Sequence, residues 1–414
     1  MPGAPTIDAA RVIADLRELA RRTGDDAGAQ RLAWTEAWRE ARRFLGELLA
    51  EVGLEPERDA AGNLWTTLPG AAPDAPALVV GSHLDSVPDG GWLDGALGVM
   101  TGVGALRAWA VSDSPPPRPL CLVDWADEEG ARFGRSLLGS SAFSGTLDTA
   151  EVAALRDRDG VTLAEALADN GVNLERSPEA GARAASLGGY LELHIEQGPV
   201  LEAEGLPVAA VRGCAGVERK RLRFAGQAAH AGTTPMSARN DAGLAAAETA
   251  LTVERVAVER GGVGTTGGLV LEPGIATAVP GRAELLVDLR HPDAAELEAM
   301  LGEVRVAAGD RSSQRDCSVD EERIWRIEPI PFDPALVELA AEAAAAAGGR
   351  TDPLTSGALH DAAEVARVLP AAMMFCPSRA GLSHTVQEDT AEADLATAID
   401  AYGELVGRAL LRAG

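Results

Sequence analysis

Four short apolar runs, each leading into a histidine or a cluster of acids, constrain this chain more than any other feature. Ala77-Leu78-Val79-Val80 ends at Gly81 and opens into the loop Ser82–Asp94. Leu120–Trp125 leads to Asp127-Glu128-Glu129-Gly130, and Gly189–His194 carries its histidine at its end. Ala371–Phe375 leads into the loop Cys376–His384. Runs this short and this apolar read as buried strands. Helical segments separate them, among them Ala96–Ala110. That order implies an α/β layered domain with a mainly parallel sheet. In such sheets ligands gather outside the carboxyl ends of the strands, which is where this chain puts its histidines and acids.

The stretch 213–325 reads differently. It alternates more, with β-type runs at Arg219–Phe224, Gly267–Leu271 and Ala283–Leu289 and an Ala-rich helix over Asp241–Arg260. A chain of 414 residues is too long for one ordinary core. The expected organisation is an α/β domain made of 1–212 and 326–414, interrupted by a smaller α+β domain over 213–325. Residues 1–60 read as helical, and the Ala-rich helix at Ala340–Ala347 breaks at Gly348-Gly349.

Charge narrows the partners. With 37 Lys and Arg against 63 Asp and Glu, the net charge is -26. Nucleic acid and anionic membrane surfaces both need clustered Lys and Arg, so neither is expected as a partner. The N-terminus reads as an amphipathic helix rather than a signal peptide. No run approaches the roughly 18 apolar residues of a membrane span. Cys121, Cys214, Cys317 and Cys376 are scattered without a C-x-x-C pair, which suits a reducing compartment and offers no thiolate metal site. A cytoplasmic location is expected.

The chemistry lies with the histidines. There are six, and five sit at strand ends or in Gly- or acid-rich loops. His83 leaves the end of a buried strand, and Asp85 is placed to accept its second imidazole N–H and fix the tautomer. Gly90-Gly91 and Gly95 let the backbone fold tightly and aim Asp94 back at the same point, where a carboxylate can bridge two metals. After the second strand the acids divide their labour: Glu129 binds metal, and Glu128 stays free to take a proton from the water that the metal acidifies. His194 and His384 complete the set. Oxygen and nitrogen ligands without sulfur suit two divalent ions, zinc first, with manganese, cobalt or nickel as alternatives.

The motifs resemble those of the amidase, hydantoinase and carbamoylase family. That family includes N-carbamoyl-L-amino-acid hydrolases, allantoate amidohydrolases and β-ureidopropionases, within the clan of dimetal aminoacylases and exopeptidases. The strings that carry the resemblance are GSHLDSVPDGGWLDGALGV, DEEGARFGRSLLGS, LHIEQGPVLE, GQAAHAGTTPMSARND, SGALHDA and PSRAGLSH, in that order. The resemblance implies a dimetal catalytic domain interrupted by a lid and dimerisation domain. His83 and His194 would serve one metal, Glu129 and His384 the other, with Asp94 bridging and Glu128 as base. His230 would polarise the scissile carbonyl, and in this family it can reach the partner subunit's active site. Arg290 would clamp a substrate carboxylate, Gln197 and His360 would add hydrogen bonds, and Arg239 would be a structural or carboxylate-side contact. One departure stands out: Thr277 occupies the position where the family usually has an Asn that helps hold the carboxylate. His291 has no role in any of the motifs.

The resemblance thus implies a homodimer that hydrolyses a C–N bond in an N-carbamoyl (ureido) amino acid or a relative such as allantoate. The alternatives are an N-acyl amino-acid deacylase, a small-peptide hydrolase of the same clan, and a non-catalytic dimeric binding protein.

Overall fold

Parallel strands form the centre of the first of two units in the computed structural model, which describes residues 4–412. This unit takes the chain up to Gly213 and from Phe332 onward; the second is Cys214–Pro331. In the first, Leu120–Trp125 pairs in parallel with Ala77–His83. Ala77–His83 pairs in parallel with Leu187–Ile195, and that strand with Ala371–Cys376. Antiparallel strands flank this centre: Leu64–Leu68 beside Leu120–Trp125, and Ala209–Cys214 beside Ala371–Cys376. The sheet is mainly parallel at its centre, as its apolar runs imply. Every residue of Ala77–His83, Leu120–Trp125 and Ala371–Cys376 is buried, which is why these strands lack a period-two alternation.

Register aligns the strand ends. His83 lies opposite Trp125, and His194 opposite Phe375, so the chain leaves all four of these parallel strands along one edge of the sheet. The helix Ala96–Ala110 lies against this sheet and buries every residue from Ala96 to Leu106. Close approach requires Gly98, where a Cβ would stand 2.6 Å from the Leu193 carbonyl oxygen. Helices Ala9–Thr23, Glu36–Ala50, Pro334–Ala346 and Glu392–Leu411 complete the layers. Leu16, Leu45, Met100, Leu193, Tyr402 and Leu405 meet in their core.

Residues 1–60 are less uniformly helical than the sequence suggests. Two helices are separated by the short pair Gly24–Asp25 and Gly28–Ala29, and Glu57–Arg58 pairs with Leu64–Leu68. The first helix ends at Thr23 with Gly24 as its C-cap, and Gly28, with φ +130, takes a conformation open to glycine and strained for other residues.

The second unit has a four-stranded antiparallel sheet in the order Val263–Glu272, Arg282–His291, Gly216–Ala225, Ser318–Ile327. Helices Ala242–Arg260 and Ala294–Ser313 pack on its buried side chains, including Leu222, Phe224, Leu285 and Val287. Among the described residues, no helix of either unit is long and apolar enough to cross a membrane.

A buried ion pair ties the N-terminal helices to the sheet. Arg42 Nε donates to Asp124 Oδ2 at 2.7 Å, and Asp124 Oδ1 accepts from the Leu84 amide at 2.9 Å. The two side chains are 9% and 0% exposed. Burial pushes the Asp124 carboxyl up to about 6, against the pull of Arg42. Replacing Arg42 by Met leaves this carboxylate buried without its counter-charge, at a cost of about 3–5 kcal/mol. Losing Arg42 raises the folded-state pKa further above the unfolded one. The deficit measured by urea unfolding is therefore largest near pH 8 and shrinks toward pH 5, where the carboxyl is protonated.

Candidate metal centre

His83 is the last residue of its strand. Its Nδ1 lies 3.1 Å from the backbone oxygen of Asp85. A carbonyl only accepts, so Nδ1 carries the proton and Nε2 presents its lone pair. His194 is held the same way, with Nδ1 2.9 Å from the Ile195 carbonyl oxygen. Both Nε2 atoms face one oxygen of Asp94: Oδ1 is 3.7 Å from His83 and 3.1 Å from His194. The other oxygen, Oδ2, is 3.3 Å from His384 Nε2, which is itself 3.4 Å from Glu129 Oε2. The ligand atoms of His83, Asp94 and His194 lie within 4.8 Å of one another, and so do those of Asp94, Glu129 and His384. Asp94 belongs to both groups, through a different oxygen in each. Gly95 makes room for this turn: with φ +63, a Cβ there would stand 2.3 Å from the His83 ring.

The electrostatics are those of acids gathered out of water. Burial, then Asp94, pushes the Glu129 carboxyl up to about 8. Its Oε1 is buried without a hydrogen-bond partner. Burial, then the charges of Asp361 and Glu129, raises Glu128 well above the carboxylate range. Burial also acts on Asp94, yet contacts with His194 and His384 hold it well below that range. An orphaned carboxylate oxygen among buried like charges costs several kcal/mol unless a cation answers it. Three imidazoles and two carboxylates, without sulfur, are a donor set that fits a borderline divalent cation.

A third group, Glu192, His194 and His360, is equally close, but its carboxylate is already engaged. Glu192 accepts from Ser82 Oγ at 2.7 Å and from Tyr190 OH and the Ala362 amide at 3.1 Å. His360 is buried beneath His194, its Nε2 2.9 Å from Ser356 Oγ.

Asp85 does something other than expected. Its carboxylate is 3.8 Å from His83 Nδ1, beyond hydrogen-bond reach. Its two oxygens instead accept the backbone N–H groups of Glu128 and Glu129, each at 3.1 Å. Asp127 turns the chain so that both amides face it, with φ +58 and an oxygen accepting from Trp34 Nε1 at 2.8 Å. Asp85 therefore orients the acid pair rather than the imidazole. Gln197 also sits closer to the ligands than a substrate contact requires, with Nε2 2.8 Å from Asp94 Oδ2.

Glu388 escaped sequence reasoning. It is 2% exposed, and its Oε1 accepts the amides of Leu93 and Asp94, both at 3.0 Å. Its Oε2 is 3.0 Å from Ser383 Oγ, which is 2.8 Å from Asp94 Oδ2. One acid thus ties the Asp94 loop to the His384 loop. Within Val386-Gln387-Glu388-Asp389 nothing separates it from a solvated turn.

The remaining expected residues lie in the second unit. His230, exposed, sits in a two-residue strand paired with Ala278–Val279. Its Nδ1 accepts from the amides of Gly232 at 3.0 Å and Thr233 at 3.2 Å, which puts the proton on Nε2. Arg239 donates to the Thr234 and Ala231 carbonyls, and the Thr277 carbonyl accepts the Ala231 amide. Arg239 thus braces the loop that carries His230. Arg290 Nε donates to Asp288 Oδ1 at 2.8 Å. His291 is a structural histidine, with Nδ1 accepting the Asp293 amide and Nε2 3.1 Å from the Arg260 carbonyl oxygen.

Residues 79–408 match the model of peptidase family M20/M25/M40. The chain belongs to this family. Among similar proteins, an N-carbamoyl-L-amino-acid amidohydrolase of Paenarthrobacter aurescens is 36% identical over 94% of this chain and 94% of its own. An allantoate amidohydrolase of Bacillus subtilis is 32% identical, covering 92% of each chain. The crystal structure of a hydantoinase/carbamoylase family amidase from Burkholderia ambifaria superposes with a TM-score of 0.89 at 36% identity, over 97% of this chain and 98% of that one. M20 membership and the acid–imidazole clusters together point to a divalent metal centre.

Asp85 gives a test of this geometry. In Asp85→Asn the side chain keeps one acceptor oxygen for two amides and sets an NH2 group against the other. Glu128 and Glu129 then lose their alignment, and kcat falls at least about tenfold while folding persists. Circular dichroism and steady-state kinetics on the variant read the two effects separately.

Proposed function

We propose that this chain hydrolyses a C–N bond of an N-carbamoyl (ureido) compound, either an N-carbamoyl amino acid or a relative such as allantoate. The observation that carries the site is Asp94, whose two oxygens face two different ligand groups. The substrate class rests on the similar amidohydrolases. In this reading His83, Asp94 and His194 hold one divalent ion, and Asp94, Glu129 and His384 a second. Zinc is the first choice, with manganese, cobalt or nickel as alternatives. Such ions, when bound, polarise a carbonyl and make water more acidic.

The chain's own groups do the rest. Glu128, buried beside Glu129 but outside both ligand groups, takes the proton of the attacking water on a carboxylate oxygen. It then delivers that proton to the leaving nitrogen as the C–N bond breaks. A carbamoylated amino acid releases the amino acid, carbon dioxide and ammonia. His230, fixed with its proton on Nε2, is the proposed donor to the carbonyl oxygen as negative charge develops there. Arg290 is proposed to pair with a substrate carboxylate, with Thr277, Gln197 and His360 as further contacts and Arg239 as the brace of the His230 loop.

The second unit is proposed as a lid and dimerisation module, so that the enzyme is a homodimer. Its edge strand Val263–Glu272 exposes Val263, Leu269, Val270 and Leu271, and the helix Ala242–Arg260 exposes Leu251 and Val258. An apolar edge strand left open invites a second copy. Four free cysteines, three of them buried, support a cytoplasmic location.

Two measurements test the reading. Glu128→Gln keeps its metal, counted by elemental analysis, and loses about 100- to 10,000-fold in kcat; normal kcat with full metal would overturn the base assignment. For the substrate, metal-loaded enzyme is offered N-carbamoyl-L-amino acids, N-carbamoyl-β-alanine, allantoate and N-acyl amino acids. Turnover of ureido compounds, abolished by a chelator and restored by a divalent ion, is expected. Activity confined to acyl or peptide substrates would reassign the enzyme as a deacylase or peptidase of its clan.

A further inference from the structure

Arg31 is fully buried, and nothing in the reaction uses it. It is laced to the turn that follows His83. Its amide donates to Ser86 Oγ at 3.1 Å, its carbonyl accepts the Ser86 amide at 3.1 Å, and its Nε donates to the Leu84 carbonyl at 2.7 Å. Nearby, the Ala29 amide donates to the Gly90 carbonyl at 2.8 Å. The two terminal nitrogens of Arg31 meet no hydrogen-bond partner. A guanidinium stays charged in a protein, and burying one without a partner is costly. The charges set around it explain how it is tolerated. Burial pulls its pKa down, while Glu388, Asp85, Asp94 and Glu129 push it back up. Two of these acids are the proposed ligands Asp94 and Glu129; the other two hold the loops and amides around them.

We propose that Arg31 is an internal counter-cation for this centre, a positioning residue that steadies the clustered acids while no divalent ion is bound. The inference rests on the metal reading above. Its sign follows from Coulomb's law. In the metal-free chain Arg31 is the cation among the acids and stabilises the fold. Once divalent ions take their places, the same charge is repelled by them and its benefit fades. Removing Arg31 should therefore destabilise the metal-free chain more than the loaded one. The thermodynamic cycle then requires the variant to bind metal more tightly.

The test uses the full chain, stripped by a chelator or loaded with zinc ion alone. Arg31→Met is expected to lower Tm by about 2–3 °C more in the stripped chain than in the loaded one. Zinc titrated against a competing chelator should show a Kd about tenfold tighter than wild type. Arg31→Lys, which keeps the charge, should retain most of the stripped chain's Tm. Where the Met variant does not fold, Arg31→Gln is read in the same way. Arg118→Met provides the comparison, because that guanidinium donates to the backbone carbonyls of Pro76 and Ala409 and should lower both forms alike. An equal fall in both forms, or weaker zinc binding, overturns the inference and leaves the metal reading intact. A wild-type chain that binds no divalent ion overturns both.

Discussion

The rest of this site depends on one carboxylate that two clusters share. Asp94 turns one oxygen toward His83 and His194 and the other toward His384. Holding it there means gathering several acids in a place water barely reaches, and the fold treats those acids in two ways. Asp85 and Glu388 each accept two backbone amides, and Asp124 accepts one amide and a guanidinium. Glu129 is left with a buried oxygen that nothing answers. The scaffold carboxylates are satisfied by backbone amides, while Glu129, a proposed ligand, keeps a buried oxygen open, as Asp127 and Asp361 also do. A buried acid without a partner is expensive, and of these three acids only Glu129 belongs to a group of described residues whose ligand atoms converge.

The sheet makes that arrangement available. Parallel pairing with His83 opposite Trp125 and His194 opposite Phe375 brings separate stretches of chain out along one edge. The loops beyond that edge then need only short reaches. Asp94 comes back just before a helix whose Gly98 lets it lie against the strands. A larger residue there would push that helix from the sheet, and the Asp94 turn with it. Packing several residues away thus limits how closely Asp94 and the two imidazoles can meet.

This division also explains what could be read in the sequence. Buried strands ending in His or acid announce themselves, because an apolar run and a polar end are both properties of a few adjacent residues. The five proposed ligands and Glu128 were legible on those grounds. Glu388, Arg31 and Trp34 were not, since each acts through partners far along the chain, and in sequence each looks like an ordinary turn or helix residue. Asp85 is legible as important, but its partner is not. The carboxylate two residues after His83 is in demand from the amides of Glu128 and Glu129, which arrive from another strand. The imidazole therefore falls to the nearer carbonyl. In the second unit Ser318–Ile327 is hard to read as a strand, because half of its residues are charged and none is fully buried.

The same local contest settles the proton on each histidine. At His83 and His194 the nearest backbone partner of Nδ1 is a carbonyl, so the proton stays on Nδ1 and Nε2 offers a lone pair. At His230 the nearest partners are the amides of Gly232 and Thr233, so Nδ1 accepts and Nε2 keeps its proton. The first arrangement suits a metal ligand and the second a hydrogen-bond donor. One residue type is thus prepared for two opposed roles, and the difference comes from whether the backbone beside it presents C=O or N–H. Composition and spacing do not carry that information; the turn after a parallel strand and the turn after a two-residue strand do.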